Sequence, residues 1–297
     1  MKLGHEASES RARWPSLTSE LMAELQNWAA EHSLPAVPEE QLAIFAHSCY
    51  YNREATLRCM ETYYRLRANA PEFFCTRDPL LEDVQSTLKA LNYCRLPRPD
   101  KDGNIVVFHS LRDTNPSAYV FNTAVKVLFM MMDACLYHDG CTPGYVFLFD
   151  MKGVRISHLT RLSITGIRRF FEYLQEANPV RLKAIHVINC VWFIDKVLAL
   201  IRPFMKKELM DILHLHSGDV SLVYQHIPPE CLPKDFGGQL DDVETYHAEN
   251  GRKMVELRDY FLEEEQLYRS YRSVSNKNRL SCSDTVSSHH NGNSDGS

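Results

Sequence analysis

Tyr145-Val146-Phe147-Leu148-Phe149-Asp150-Met151-Lys152-Gly153 decides the fold class. Five consecutive apolar residues, rich in aromatic and β-branched types and closed by a polar turn, predict a strand covered on both faces. A second such run spans Lys183 to Asn189, after a segment of helical pattern from Ser163 to Ala177. Strand, helix, strand at this spacing implies a crossover connection, and crossovers join parallel strands. A further extended piece, Ile212 to His216, continues the alternation, so the class is α/β with a mostly parallel sheet.

Working outward toward the N-terminus, a long helix is expected from about Ser117 to Tyr137, with an apolar surface broader than a usual core stripe. Before it, Cys94 to Arg98 and Ile105 to His109 flank Asp102-Gly103, which predicts a β-hairpin. Residues 17–91 read as helices instead. Leu17, Leu21, Leu25 and Trp28 share one face behind a Ser16 or Ser19 cap, a second helix runs from Pro38 to Cys49, and Asn52 caps a third. Asp78-Pro79 opens a fourth, carrying Leu80, Leu81, Val84, Leu88 and Leu91. Toward the C-terminus, a short helix from Asp219 to His226 and an exposed helix from Val243 to Tyr268 are expected. The implied organisation is a disordered 1–15, a small all-helical domain at 16–91, an α/β domain at 92–245, a C-terminal helix at 246–272 and a disordered Ser- and Asn-rich tail at 273–297.

With 297 residues, 44% of them hydrophobic, the chain buries a sizeable core, and a formal net charge of -5 argues against a nucleic-acid partner. Nine cysteines without recurring spacing point to buried thiols in a reducing compartment rather than a disulfide framework. No apolar leader or membrane-spanning run is seen, so a cytoplasmic protein is expected. Nucleotide and acyl-transfer motifs are missing, and no enzyme is expected. Cys135 to Cys141 has no zinc-site spacing, and His214 and His216 share a face of an extended piece with no third ligand nearby in sequence, so neither a metal nor a cofactor is expected.

One segment resists this scheme. Val191-Trp192-Phe193-Ile194-Asp195-Lys196-Val197-Leu198-Ala199-Leu200-Ile201-Arg202-Pro203-Phe204-Met205 is apolar around nearly its whole circumference. Such a helix is either buried on all sides or meets something apolar on a second face. Arg202, Lys206 and Lys207 at its end, with Arg181 and Lys183 before the preceding strand, could meet anionic headgroups while the helix lies on a membrane surface.

Five motifs in order carry a resemblance: Phe149 to Gly153, Ile185 to Asn189, Ile201-Arg202-Pro203-Phe204, His214-Leu215-His216, and Leu232-Pro233 followed by Phe236-Gly237-Gly238. Together they resemble the CRAL-TRIO lipid-binding family, most closely its tocopherol-transfer and retinaldehyde-binding group, over about residues 17–245. The resemblance implies a sheet floor, a cavity for one lipid and a mobile gate helix at about Val191 to Lys207, preceded by the family's helical N-terminal domain. It places Ala124, Val127, Met131, Tyr145, Phe147, Phe149, Leu162, Phe170, Tyr173, Leu174, Leu182, Ile185 and Val187 on the cavity, with Val191, Phe193, Ile194, Val197 and Ile201 from the gate. Membrane or phosphoinositide contact falls to Arg181, Lys183, Arg202, Phe204, Lys206 and Lys207. Where the group carries further basic residues for a phosphoinositide, this chain has Cys49, Glu208 and Ile212. The implied function is a monomeric carrier of a retinoid, carotenoid, tocopherol or similar isoprenoid, transiently peripheral to membranes. The alternatives are an interaction module with a filled pocket and a phosphoinositide or phospholipid transfer protein.

Overall fold

A computed structural model describes residues 2–287, with side chains placed as far as residue 273. Five strands form one sheet in the order of the chain: β1 (Leu91–Arg95), β2 (Ile105–Leu111), β3 (Tyr145–Asp150), β4 (Leu182–Ile188) and β5 (Leu213–Leu215). The first pair is antiparallel and the other three are parallel, as expected for a hairpin followed by crossovers. In the hairpin turn, Asp100 Oδ1 accepts the Asp102 and Asn104 amides. The crossover helices are α7 (Phe121–Asp139), α8 (Ile164–Glu176), and α9 (Ile194–Ile201) with α10 (Lys207–Asp211).

Because each parallel strand is added beside the last in one direction, right-handed crossovers all fall on one face of the sheet. Side-chain alternation then divides the core in two. Ile105, Val107, Tyr145, Phe147, Ile185 and Val187 pack under the helices. On the reverse face Val106, Phe108, Val146, Leu148 and Ile188 pack against Val223, Ile227, Leu232 and Phe236, which belong to short 3-10 turns and loops. The helix expected at Asp219 to His226 is such a turn, Val220–Val223, capped by Asp219.

The helical unit contains α2 (Ser19–Glu31), α3 (Glu39–Ser48), α4 (Arg53–Asn69), the single turn α5 (Pro71–Phe74) and α6 (Glu82–Ala90). Asn52 caps α4 through the Ala55 amide as the sequence predicts, but the α2 cap is Thr18. The fourth helix starts later than expected and stops at Ala90, where Leu91 enters β1. Asp78 does not cap it. Its carboxylate accepts the Leu80 amide and grips Arg258 through two hydrogen bonds, which leaves Leu80 and Leu81 exposed in a turn.

Three further expectations are corrected. Residues 1–15 are not disordered throughout: α1 (Ala7–Arg13) forms, Leu3 and Ala7 are buried, and the Gly4 amide donates to Tyr137 O. The C-terminal helix is two helices, α11 (Val243–Glu256) and α12 (Arg258–Ser287), and it is not exposed. Met254, Leu257, Phe261, Glu264 and Tyr268 form one buried stripe at helical spacing. Finally, α12 runs on through the expected tail as far as Ser287, since Arg258 to Ser287 contains neither glycine nor proline to stop it. The rest of the tail lies outside the described residues.

A cluster of four charges joins these units. Arg67 of α4 and Arg77 ahead of α6 meet Asp133 of α7 and Glu264 of α12, all four at most 4% exposed. Arg67 Nη2 lies 2.5 Å from Asp133 Oδ1 and its Nη1 lies 2.8 Å from Glu264 Oε1, while Arg77 bonds both carboxylates. The Tyr173 hydroxyl accepts from Arg67, and the Tyr268 hydroxyl donates to Glu264 at 2.7 Å. Burial alone would lower the Arg67 pKa, yet Asp133 and Glu264 outweigh it and hold the guanidinium firmly charged. Removing one carboxylate leaves a buried charge without a partner, the costly way to break such a set. Glu264→Ala should therefore destabilise the protein by about 3–5 kcal/mol in urea denaturation. Lys2→Ala, which removes an exposed pair with Glu6, should leave the denaturation midpoint essentially unchanged.

Candidate functional site: an apolar cavity between the sheet and its crossover helices

The sheet rows register by register define a floor. His109, Phe149, Val187 and Leu215 are lateral neighbours across β2 to β5, and Val107, Phe147, Ile185 and Leu213 form the adjacent row. Above these rows, α7, α8, α9 and the 3-10 segment Ile156–Arg161 border a cavity of about 330 Å³. Ile194, Val197, Leu198 and Ile201 reach it from α9 at the i, i+3, i+4, i+7 spacing of one helix face. Phe170, Phe171 and Leu174 come from α8, and Ala124, Val125 and Leu128 from α7.

Eleven of the eighteen cavity positions named in the sequence line it: Ala124, Phe147, Phe149, Leu162, Phe170, Leu174, Ile185, Val187, Ile194, Val197 and Ile201. The other seven do not, for identifiable reasons. Tyr145 and Leu182 are paired at the opposite end of β3 and β4, beyond the floor. Met131 is two turns from Ala124, about 10 Å along α7 toward that same far end, and Val127 turns away from the face used by Ala124 and Leu128. Tyr173 points its hydroxyl at Arg67. Val191 and Phe193 precede α9, which starts only at Ile194.

The apolar segment is thus not one helix from Val191 to Lys207. After Ile201 it tightens into a 3-10 turn, Arg202–Phe204, and α10 begins separately at Lys207. Pro203 accounts for the break, since it has no amide to donate and its ring crowds the preceding turn. Trp192, 81% exposed, stands at the start of the segment. Phe204 is half-buried against the core, and its carbonyl accepts from Gln175. The expected basic contacts are largely engaged. Arg181 donates to His47 O and stacks on Tyr50, Lys183 bonds the Tyr50 hydroxyl, Lys206 pairs with Glu176 and Lys207 with Asp211. Arg202 is exposed and has no ion-pair partner among the described residues.

Polar groups on the cavity wall are few. Asp150 is spoken for, because its Oδ1 accepts the Lys152 amide and Asn189 Nδ2, which locks the ends of β3 and β4 together. His109 Nδ1 lies 2.9 Å from Asn92 O, so that nitrogen is the donor. His158 differs. It is buried, its Nδ1 lies 3.0 Å from the Arg155 amide and 3.2 Å from the Arg155 carbonyl, and its Nε2 has no partner. One ring nitrogen of a neutral imidazole donates and the other accepts, so His158 offers one unused polar nitrogen beside the cavity. Burial lowers its pKa, which keeps it neutral near pH 7. Sequence reasoning missed His158 and Leu159 because the short 3-10 segment has no periodicity to read. Leu213 and Leu215, alternating with the two histidines, did carry a period-two signal.

Two glycines fix the motifs around this site. A Cβ on Gly238 would lie 2.0 Å from Leu232 O, and one on Gly153, whose φ is +82, would meet Thr114 Cγ2 at 2.4 Å.

With the floor and walls in place, comparison with known proteins decides the family. The CRAL/TRIO domain family matches residues 90–238, half of the chain. The chain belongs to this family of lipid-binding domains. A second family, described as the Pinta-like UBA domain, matches residues 14–84 and covers the helical unit. The human alpha-tocopherol transfer protein-like protein is 26% identical over 203 residues, which is 68% of this chain and 58% of that protein. Rat clavesin-2 is 23% identical over 197 residues, 66% of this chain and 60% of its own length. The matches therefore span about three-fifths of these relatives. Among solved structures, Sfh5 superposes with a TM-score of 0.51 at 12% identity, over 70% of this chain and 75% of that one, a likeness of fold. Among the described residues no helix is long and apolar enough to cross a membrane.

The cavity histidines make stability depend on pH. Burial pushes His109 down to about 4, whereas an unfolded chain titrates it near 6.5. Between these values the unfolded state binds a proton that the native state does not, so stability is full above about pH 6.5 and falls as pH drops toward 4. Each such histidine contributes a slope of about 1.4 kcal/mol per pH unit. Denaturation at pH 7 and pH 5 should show the loss, and His109→Gln should flatten it by about that amount.

Proposed function

We propose that the chain is a carrier that takes one hydrophobic lipid from a membrane, encloses it in the cavity and releases it at another. The observation that carries this reading is an apolar space of about 330 Å³ with an unpartnered buried nitrogen, His158 Nε2, on its wall. That volume lies within the roughly 300–1,000 Å³ of small-molecule pockets. Transfer of an apolar ligand into it is favoured by about 25 cal/mol per Å² removed from water. So sparse a polar lining suits a molecule with one or two oxygens on an otherwise apolar body, which describes retinoids, tocopherols and other oxygenated isoprenoids. A phospholipid headgroup would need several polar partners, and the wall supplies few. A filled-pocket interaction module is disfavoured by the space itself. Exit would proceed by displacement of α9, which joins β4 to β5 and contributes one face to the lining; exposed Trp192 at its head suits a contact with the bilayer interface.

Protein loaded from vesicles containing retinol or α-tocopherol should hold one molecule per chain in native mass spectrometry. His158→Leu should weaken retention about tenfold, the value of roughly one hydrogen bond, and Leu128→Trp should abolish loading while the protein stays folded. Failure of every oxygenated isoprenoid to load would sink the proposal. Trp192→Ser should slow transfer between vesicles several-fold without changing the affinity of already loaded protein.

A further inference from the structure

The reverse face of the sheet, away from the cavity, holds a second cluster. Alternation along β4 and β5 sends His186, His214 and His216 to that face, opposite the cavity-lining Ile185, Val187, Leu213 and Leu215. His226, which follows the 3-10 turn Val220–Val223, folds onto them. The His186 and His226 ring centroids are 4.7 Å apart, and those of His216 and His226 5.7 Å. His186 Nδ1 lies 2.9 Å from His216 Nε2. One nitrogen each from His186, His216 and His226 lies within 4.8 Å of the others. His186 and His216 are buried and His226 is half-buried.

An imidazole ordinarily titrates at about 6.5, so above neutral pH each ring is mostly uncharged and carries one lone pair. The short His186–His216 contact is a hydrogen bond between two such rings and uses one of those lone pairs. Neutral imidazole nitrogens are preferred ligands for zinc, copper and nickel. A tetrahedral zinc with Zn–N bonds of about 2.0–2.1 Å needs nitrogens about 3.4 Å apart. The 2.9 Å contact would open slightly, and His226, on the half-exposed side, would close by rotating its side chain. Both rings of the short contact can then ligate if one shifts its proton to the other ring nitrogen, and no proton is lost.

We propose that His186, His216 and His226 bind one divalent transition-metal ion of the zinc type, with water completing the shell on the His226 side. The ion would fasten to β4 both β5, a three-residue strand at the sheet edge, and the segment after it, which reaches His226 through the 3-10 turn Val220–Val223. The site is independent of the cavity and stands or falls without the carrier reading.

The test uses the full chain without a polyhistidine tag, stripped with a chelator and titrated with Co²⁺ as a visible probe, then with Zn²⁺. One Co²⁺ per chain should bind, with visible d–d bands and without the near-ultraviolet band of thiolate ligation, which excludes the cysteines. Zn²⁺ should displace it and raise the thermal midpoint. His226→Ala, at a half-exposed position, should keep the fold and weaken binding by more than the ~10–100-fold that losing even an outer-shell partner costs. His216→Gln serves as a second ligand variant, and His214→Ala should leave the affinity within about twofold, as its ring stacks on His186 outside the ligand set. Absence of stoichiometric Co²⁺ at millimolar concentration, a thiolate band, or binding indifferent to both His226→Ala and His216→Gln would overturn the proposal.

Discussion

Handedness governs this molecule. Four strands laid side by side in chain order, joined by right-handed crossovers, put every connecting helix on one face of the sheet. The opposite face is left to whatever follows β5, and loops and 3-10 turns cover it tightly through Val223, Ile227, Leu232 and Phe236. The helical side is covered by rods, and rods over a twisted sheet do not close every gap. Between α7, α8 and α9 the gap is the cavity. The two faces of one strand thus meet different fates: Val146 and Leu148 join a solid core, while Phe147 and Phe149 face open space.

The walls of that space are not equally fixed. α7 is tied at Asp133 into a four-charge cluster with α4, α12 and the turn before α6, and α8 joins through the Tyr173 hydroxyl. α9 has eight residues, ends in a proline-broken turn, and leaves several of its side chains exposed. Compliance is therefore concentrated in one wall, and anything entering does so with little disturbance of the others.

Much of this could be read from residues alone. Alternation at Tyr145 to Phe149 fixed a strand with two apolar faces, and five separate motifs carried the family. What could not be read was position along an element. Period two says that Tyr145, Phe147 and Phe149 share a face, but only the register with β2 and β4 shows that Tyr145 lies past the cavity. Long-range electrostatics were equally hidden. Arg67 looks like the polar edge of an amphipathic helix until Asp133 and Glu264 arrive from distant segments. The same holds for His186, which stands 30 residues from His216 in sequence and beside it in space. The apolar stretch at Val191 to Met205 reads as one helix by composition, whereas Pro203 within it marks the break that the structure shows.

The four-charge cluster also has a consequence for the order of events during synthesis. Arg67, Arg77 and Asp133 emerge from the ribosome well before Glu264, and chains fold N-terminal parts first as they are made. Until α12 arrives, the interior site carries two positive groups and one negative, an excess that water must solvate. The interface between the helical unit and the lipid-binding domain therefore stays wet until Glu264 has been made. Docking of α12 and drying of the interior are one step.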